Sequence, residues 1–145
     1  MPADDPFDLQ RFVEAQATDF ATACAELRRG RKRSHWIWYI FPQIAGLGDS
    51  RMSQRYAISG LAEAQAYLQH PVLGPRLREI TEIVIAIEDR PIEAVFPYPD
   101  DLKFWSSVTL FAQAGPDDET FRRALAKYFD GEPDQATLDR LAQSA

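Results

Sequence analysis

Residues 34–43 read S-H-W-I-W-Y-I-F-P-Q. How this stretch is read decides the fold class. As a strand, Trp36, Trp38 and Ile40 line one face and Ile37, Tyr39 and Phe41 the other, so both faces need a cover. As a helix it is apolar nearly all round. Ser34 stands where an N-cap would, and Pro42 disfavours helical geometry at Phe41. A short helix is the reading adopted, with the strand left open. Either way part of the stretch is buried.

Moving outward, the preceding residues 28–33 are R-R-G-R-K-R, and residues 43–51 read as a loop. Upstream, Asp5-Pro6 opens a helical pattern through Leu9, Phe12, Val13 and Gln16. Thr18 or Asp19 is a possible recapping point before Phe20, Ala23, Cys24 and Leu27, so one bent helix or two fit equally. Gly30 closes it in a left-handed conformation. Downstream, Ser53 caps a turn and Ser59 caps a helix over residues 61–69. The clearest helix follows Gly74-Pro75, with Leu77, Ile80, Ile83, Val84 and Ile87 at a period near that of an α-helix. Pro91 opens a short turn. Asp100 or Asp101 caps a helix carrying Leu102, Trp105, Val108 and Phe111, which Gly115-Pro116 stops. Another starts near Asp117, and a last one covers residues 134–142. The fold class predicted is all-α: a single compact domain over 1–145, ordered from about 6 to 142, with six to eight short helices and little or no sheet.

The 145 residues suffice to bury one core. The net charge is −6, unevenly spread. Residues 1–75 hold eight acidic and eight basic side chains, and residues 76–145 hold fourteen and eight. General nucleic-acid binding is not expected from such a balance. Cys24 is the lone cysteine, so no disulfide framework or cysteine zinc site is available within the chain. No apolar run is long enough to span a bilayer, and M-P-A-D-D-P-F-D lacks the apolar core of a secretory signal. The expectation is a cytoplasmic protein. Oligomeric state is left open.

Two stretches carry candidate chemistry. In the first, His35 is a candidate acid or base. Trp38 and Tyr39 are candidate stacking rings, because the rings of this stretch cannot all enter one core from one short element. Gln43 can read a ligand through its amide. Arg31 and Arg33 can grip phosphate oxygens as forks. The plainer alternatives are a hydrogen-bonded histidine, core aromatics and a solvated basic loop. In the second, Asp100 and Asp101 exceed what one helix cap needs, and Asp101 is a candidate to stabilise a developing cation or to orient water. Lys103 and Ser107 lie within the first turns of that helix, where free N–H groups favour anions. His70 beside Pro71 reads as structural, and two histidines so far apart make a poor metal signature. No phosphate-loop or dinucleotide motif is present, and neither metal nor cofactor is expected.

H-W-I-W-Y-I-F-P-Q with G-L-G-x-S, then L-Q-H-P-V-L-G-P-R-L, then P-D-D-L-K-F-W-S-S-V-T-L-F, resemble the bacterial domain-of-unknown-function 1810 family from Phe7 to about Leu141. That resemblance implies a mostly helical fold and no established activity. Some members carry the label calpastatin, which implies a disordered inhibitor; amphipathic helices argue against disorder here. A fainter likeness links Q-H-P-x-L, I-E-x-V and P-D-D-L-K-F-W to the C-terminal pattern of the NADAR N-glycosidases. It implies roles for Asp101 and Trp105 as that family's acidic residue and tryptophan, although its S-E-H-Y-F-Q type motif is missing. Together these readings point to a small-molecule ligand resembling a nucleotide, ADP-ribose or a sugar phosphate, with an N-glycosidase-type hydrolase as one form. The alternative is a non-enzymatic helical interaction module.

Overall fold

A helix that is apolar on nearly every side needs neighbours on nearly every side, and Asp100–Ala114 is such a helix. Asp101, Phe104, Ser106 to Ala112 and Ala114 are all buried along it. The protein, seen here as a computed structural model that describes residues 5–144, is built around it. In chain order the described helices are α1 (Gln10–Arg28), α2 (Ile37–Ile40), α3 (Arg51–Arg55), α4 (Leu61–Gln69), α5 (Leu73–Ala86), α6 (Ile92–Val95), α7 (Asp100–Ala114), α8 (Glu119–Phe129) and α9 (Gln135–Ser144). Helix α7 packs against α8, α4, α9, α2 and α6, while α1 lies against α5 and α2. Among the described residues there is no β-sheet, only one isolated parallel bridge between Ile44 and Ile58.

Residues 34–43 are helical where they are regular, over Ile37–Ile40. They plug the core. Phe41 meets Phe104 edge-on with ring centroids 5.0 Å apart, Phe96 stacks on Phe104 at 4.8 Å, and Trp36 closes the cluster against Phe96 at 6.4 Å. Such pairs add about 0.5–1.5 kcal/mol each beyond area burial.

Several local expectations need correction. Helix α1 is continuous, and neither Thr18 nor Asp19 recaps it. Asp5 serves its start instead, its carboxylate accepting from the Leu9 and Gln10 N–H groups at 2.7 and 2.9 Å. Ser34 does not cap α2, which follows Trp36 without a side-chain cap. Ser50, not Ser53, caps α3, and Gly60, not Ser59, occupies the N-cap of α4. Gly74 and Pro75 lie inside α5. Neither Asp100 nor Asp101 caps α7, whose N-cap position is Pro99. The described helices outnumber the six to eight expected because α2, α3 and α6 are single turns. The first four residues of the N-terminal stretch read above lie outside the described residues.

Gly30 adopts φ +86, so α1 ends as its sequence suggests. Helix α9 is tied down by polar contacts. The Asp134 carboxylate accepts from Ser106 Oγ at 2.6 Å and Thr137 Oγ1 at 2.7 Å, and its N–H donates to Thr109 Oγ1. No helix among the described residues is long and apolar enough to cross a membrane.

Candidate functional site

Glu26 organises the surface that follows α1. It lies on the inward face of α1 and is buried. Its carboxylate accepts from the N–H groups of Arg33 and Ser34 at 2.8 and 2.9 Å, from the Ser34 hydroxyl, and from the Trp36 indole N–H at 2.9 Å. Burial alone would raise its pKa. The hydrogen bonds from Ser34, Arg33 and Trp36 outweigh that and hold it at about 2. The loop of residues 29–36 is thus wrapped round one carboxylate.

Wrapping the loop this way sends alternate cations in opposite directions. Lys32 turns inward and is 8% exposed. Its N–H donates to Val95 O at 2.8 Å, and its Nζ lies 2.7 Å from Asp100 Oδ2 and 5.2 Å from the centre of the Trp36 ring. Arg31, Arg33 and His35 stay exposed. With Lys32 they form one wall of a hollow of about 330 Å³, whose other wall is Pro97, Tyr98, Pro99 and Asp100. The Tyr98 side chain is 77% exposed. Among the described residues, Arg31 and Arg33 make no ion pair. Asp100 largely offsets Lys32, so the hollow keeps an excess of positive charge in an acidic protein.

The segments read from sequence as two walls do meet, but only some of the named residues share the hollow. His35, Arg31 and Arg33 line it. Lys103 stands at its edge, with Nζ 3.7 Å from Asp100 Oδ1 and 5.4 Å from the centre of the Trp38 ring. Trp38 is half-buried, its indole N–H buried without a partner, and it does not wall the hollow. Asp101 is likewise buried beside the hollow, with Oδ1 unpartnered. Tyr39 points the other way, its hydroxyl donating to Asp19, and burial together with that bond raises its pKa. Gln43 belongs to a different, smaller cavity of about 250 Å³ beside Gly46 and Gln54. Trp105 stacks on Phe129 at 5.5 Å and donates to Glu132 O at 2.8 Å, and Ser107 is fully buried.

Besides Pro97 and Pro99, three residues of the hollow were not assigned a site role from sequence: Lys32, Tyr98 and Asp100. Lys32 stood within the basic run and Asp100 stood out as one carboxylate too many at a helix start, whereas Tyr98 left no signal. A larger concavity, about 840 Å³, lies elsewhere among the described residues, between the end of α4 and the start of α8. Its arginines are already engaged. Arg78 meets Asp118 at 2.6 Å, Arg123 binds Glu82 through two nitrogens, and the Arg122 guanidinium is turned back onto Pro116 O. A groove whose cations are occupied has less to offer an anion. Among the described residues no group of three or more His, Cys, Asp or Glu side chains is placed to hold a metal ion.

A family model described as "Protein of unknown function (DUF1810)" matches residues 6–141. Among solved structures, the chain is similar to the conserved hypothetical protein Rv1873 from Mycobacterium tuberculosis. The two are 54% identical with a TM-score of 0.93, over 94% of this chain and 98% of that one. No curated protein matches.

Proposed function

The chain belongs to the DUF1810 family, whose description assigns no activity, and we propose from its own geometry that it binds a phosphorylated small molecule in the hollow between residues 31–35 and 97–100. One observation carries this reading: Arg31 and Arg33 face a single concavity without carboxylate partners, in a chain of net charge −6. Guanidinium forks match phosphate oxygens in pairs. A volume of about 330 Å³ falls at the small end of ligand sites and suits a mononucleotide or sugar phosphate. The open Tyr98 ring offers a stacking face at the rim. An N-glycosidase-type reaction needs a carboxylate facing the bound sugar. Asp101 does not reach that wall, and Asp100 does but is held by the Lys32 and Lys103 ammonium groups, so the geometry supports binding more directly than hydrolysis.

Thermal melting with millimolar ADP-ribose, AMP, ribose 5-phosphate and inorganic pyrophosphate tests the proposal. A ligand at one hundred times its Kd stabilises by about 2.7 kcal/mol, a rise of several degrees for a chain of this size. The double variant Arg31→Ala, Arg33→Ala should melt like the wild type alone, because both side chains are exposed, yet lose at least about tenfold in affinity. Silence with all four compounds would discard the site. Tyr98 and Leu102, both exposed apolar side chains, favour a second reading, in which this rim contacts a protein. Under it the four phosphate compounds leave the melting temperature unchanged, and Arg31 and Arg33 can be replaced without consequence for small-molecule binding.

A further inference from the structure

Asp100 is the only carboxylate among the residues that wall the hollow. A site for anions alone has no use for one. The side chain is pinned, with Oδ2 2.7 Å from Lys32 Nζ and Oδ1 3.7 Å from Lys103 Nζ. Both ammonium groups are themselves held over indole rings, Lys32 on Trp36 and Lys103 on Trp38. The result is a chain of contacts running Trp36, Lys32, Asp100, Lys103, Trp38, with the carboxylate at its middle. Each carboxylate oxygen can accept two hydrogen bonds, so these contacts leave acceptor capacity free, and the side chain keeps 17% of its surface exposed. Facing it across the hollow are Arg31, Arg33 and His35, with no second carboxylate.

This wall arrangement sorts ligands by chemistry. A purely anionic ligand meets repulsion at Asp100. A ligand carrying phosphate at one end and hydroxyl donors at the other satisfies both walls. A fixed carboxylate that accepts from ribose hydroxyls is a general device for recognising nucleotides. Resting on the phosphate reading of the hollow, we propose that Asp100 is the specificity residue of this site, accepting hydrogen bonds from the vicinal diol of a phosphorylated sugar whose phosphate lies on Arg31 and Arg33. Lys32 and Lys103 act through Asp100, as positioning residues.

Calorimetric titration of AMP, its 2′,3′-dideoxy analogue and inorganic pyrophosphate into the wild type and Asp100→Asn separates the possibilities. The wild type should bind AMP at least about tenfold more tightly than the dideoxy analogue, the usual scale for losing hydrogen bonds to a charged group. In D100N that preference should collapse, while pyrophosphate binds as well or better because a negative charge has gone. A wild type that binds pyrophosphate without preferring AMP to its analogue overturns the role of Asp100 and leaves the anion hollow standing. A preference as large in D100N as in the wild type overturns it too, because the amide keeps an acceptor oxygen but not the charge. Failure of all three compounds on the wild type removes both. Should D100N fail to fold once Lys32 loses its partner, the wild-type comparison of the two nucleotides decides alone.

Discussion

Alanine at Gly74 should lower the melting temperature by about 10 °C, corresponding to about 3 kcal/mol. Helix propensity argues for the opposite sign, since exchanging glycine for alanine inside a helix gains about 1 kcal/mol. Position 74 lies inside α5, so that gain is available. Geometry outweighs it. A Cβ at Gly74 would lie 2.1 Å from the carbonyl oxygen of Leu68 and 2.9 Å from its carbonyl carbon, with Arg78 Nη1 also at 2.9 Å. The first two are backbone atoms at the end of α4, and they cannot swing aside as a side chain would. The hinge between the helices is short and braced. His70 Nδ1 accepts from the N–H groups of Val72 and Leu73 at 3.1 and 3.2 Å, and Arg78 reaches Leu68 O and Asp118. Moving α4 away from α5 would break these bonds and open the packing that both helices share with the core. Gly131 supplies the contrast. It has φ +76 but nothing within 4 Å of an added Cβ, so Gly131→Ala pays only for the left-handed backbone, about 1–2 kcal/mol. Circular-dichroism melts of both variants check the argument. A G74A protein as stable as the wild type would show that the α4–α5 junction is not the close contact described.

The contrast between Gly74 and Gly30 shows what the sequence could convey. Gly30 followed a helical pattern and preceded a basic loop, and local punctuation was enough to read its left-handed turn. Gly74 preceded a proline, and the same punctuation suggested a boundary that the structure moves inside the helix. Its real constraint is a backbone carbonyl across a hinge, which no local pattern encodes. The all-α architecture was legible because apolar residues recur at helical spacing through residues 77–87 and 102–111. The hollow was legible in part. A basic run and a doubled acid stood out by composition, but which cation faces outward depends on how the loop wraps. Arg31, Lys32 and Arg33 look alike in sequence. They differ because Glu26 and Asp100, from two other elements, claim the loop's N–H groups and the middle ammonium. The rings behave the same way. Trp38 and Tyr39 were equal candidates for stacking and Trp105 entered through a resemblance alone, yet Tyr39 found Asp19 and Trp105 found Phe129 and Glu132. The open ring, Tyr98, sits among prolines and gave no signal.

Glu26 is the residue whose loss should reach both stability and the hollow. Glu26→Ala removes the single acceptor for two backbone N–H groups, the Ser34 hydroxyl and the Trp36 indole. Each buried donor left unpaired costs about 1–3 kcal/mol. Such costs are not additive within one network, so the expected loss is about 4 kcal/mol, a large share of the 5–15 kcal/mol typical of a domain. The more discriminating variant is Glu26→Gln, which keeps the shape and removes the charge. Because the folded-state pKa is depressed, from 4.5 to about 2, the ionised carboxylate contributes stability that is complete above pH 4.5 and is lost as pH falls from there to about 2. The difference corresponds to about 3 kcal/mol. Asp5, Glu82 and Asp118 are also held below their ordinary values, so the wild type loses stability in acid for several reasons. The comparison isolates one of them. Urea unfolding at pH 2, 3, 4, 5 and 7 should show the wild type losing about 3 kcal/mol more than E26Q across the acid limb. Parallel profiles would mean that Glu26 does not hold the loop. Because Arg33 and Ser34 hang directly from this carboxylate, an E26Q protein that remains folded at neutral pH should bind phosphate ligands more weakly while its arginines are intact. The position of the cations, as well as their charge, would then account for the affinity of the hollow.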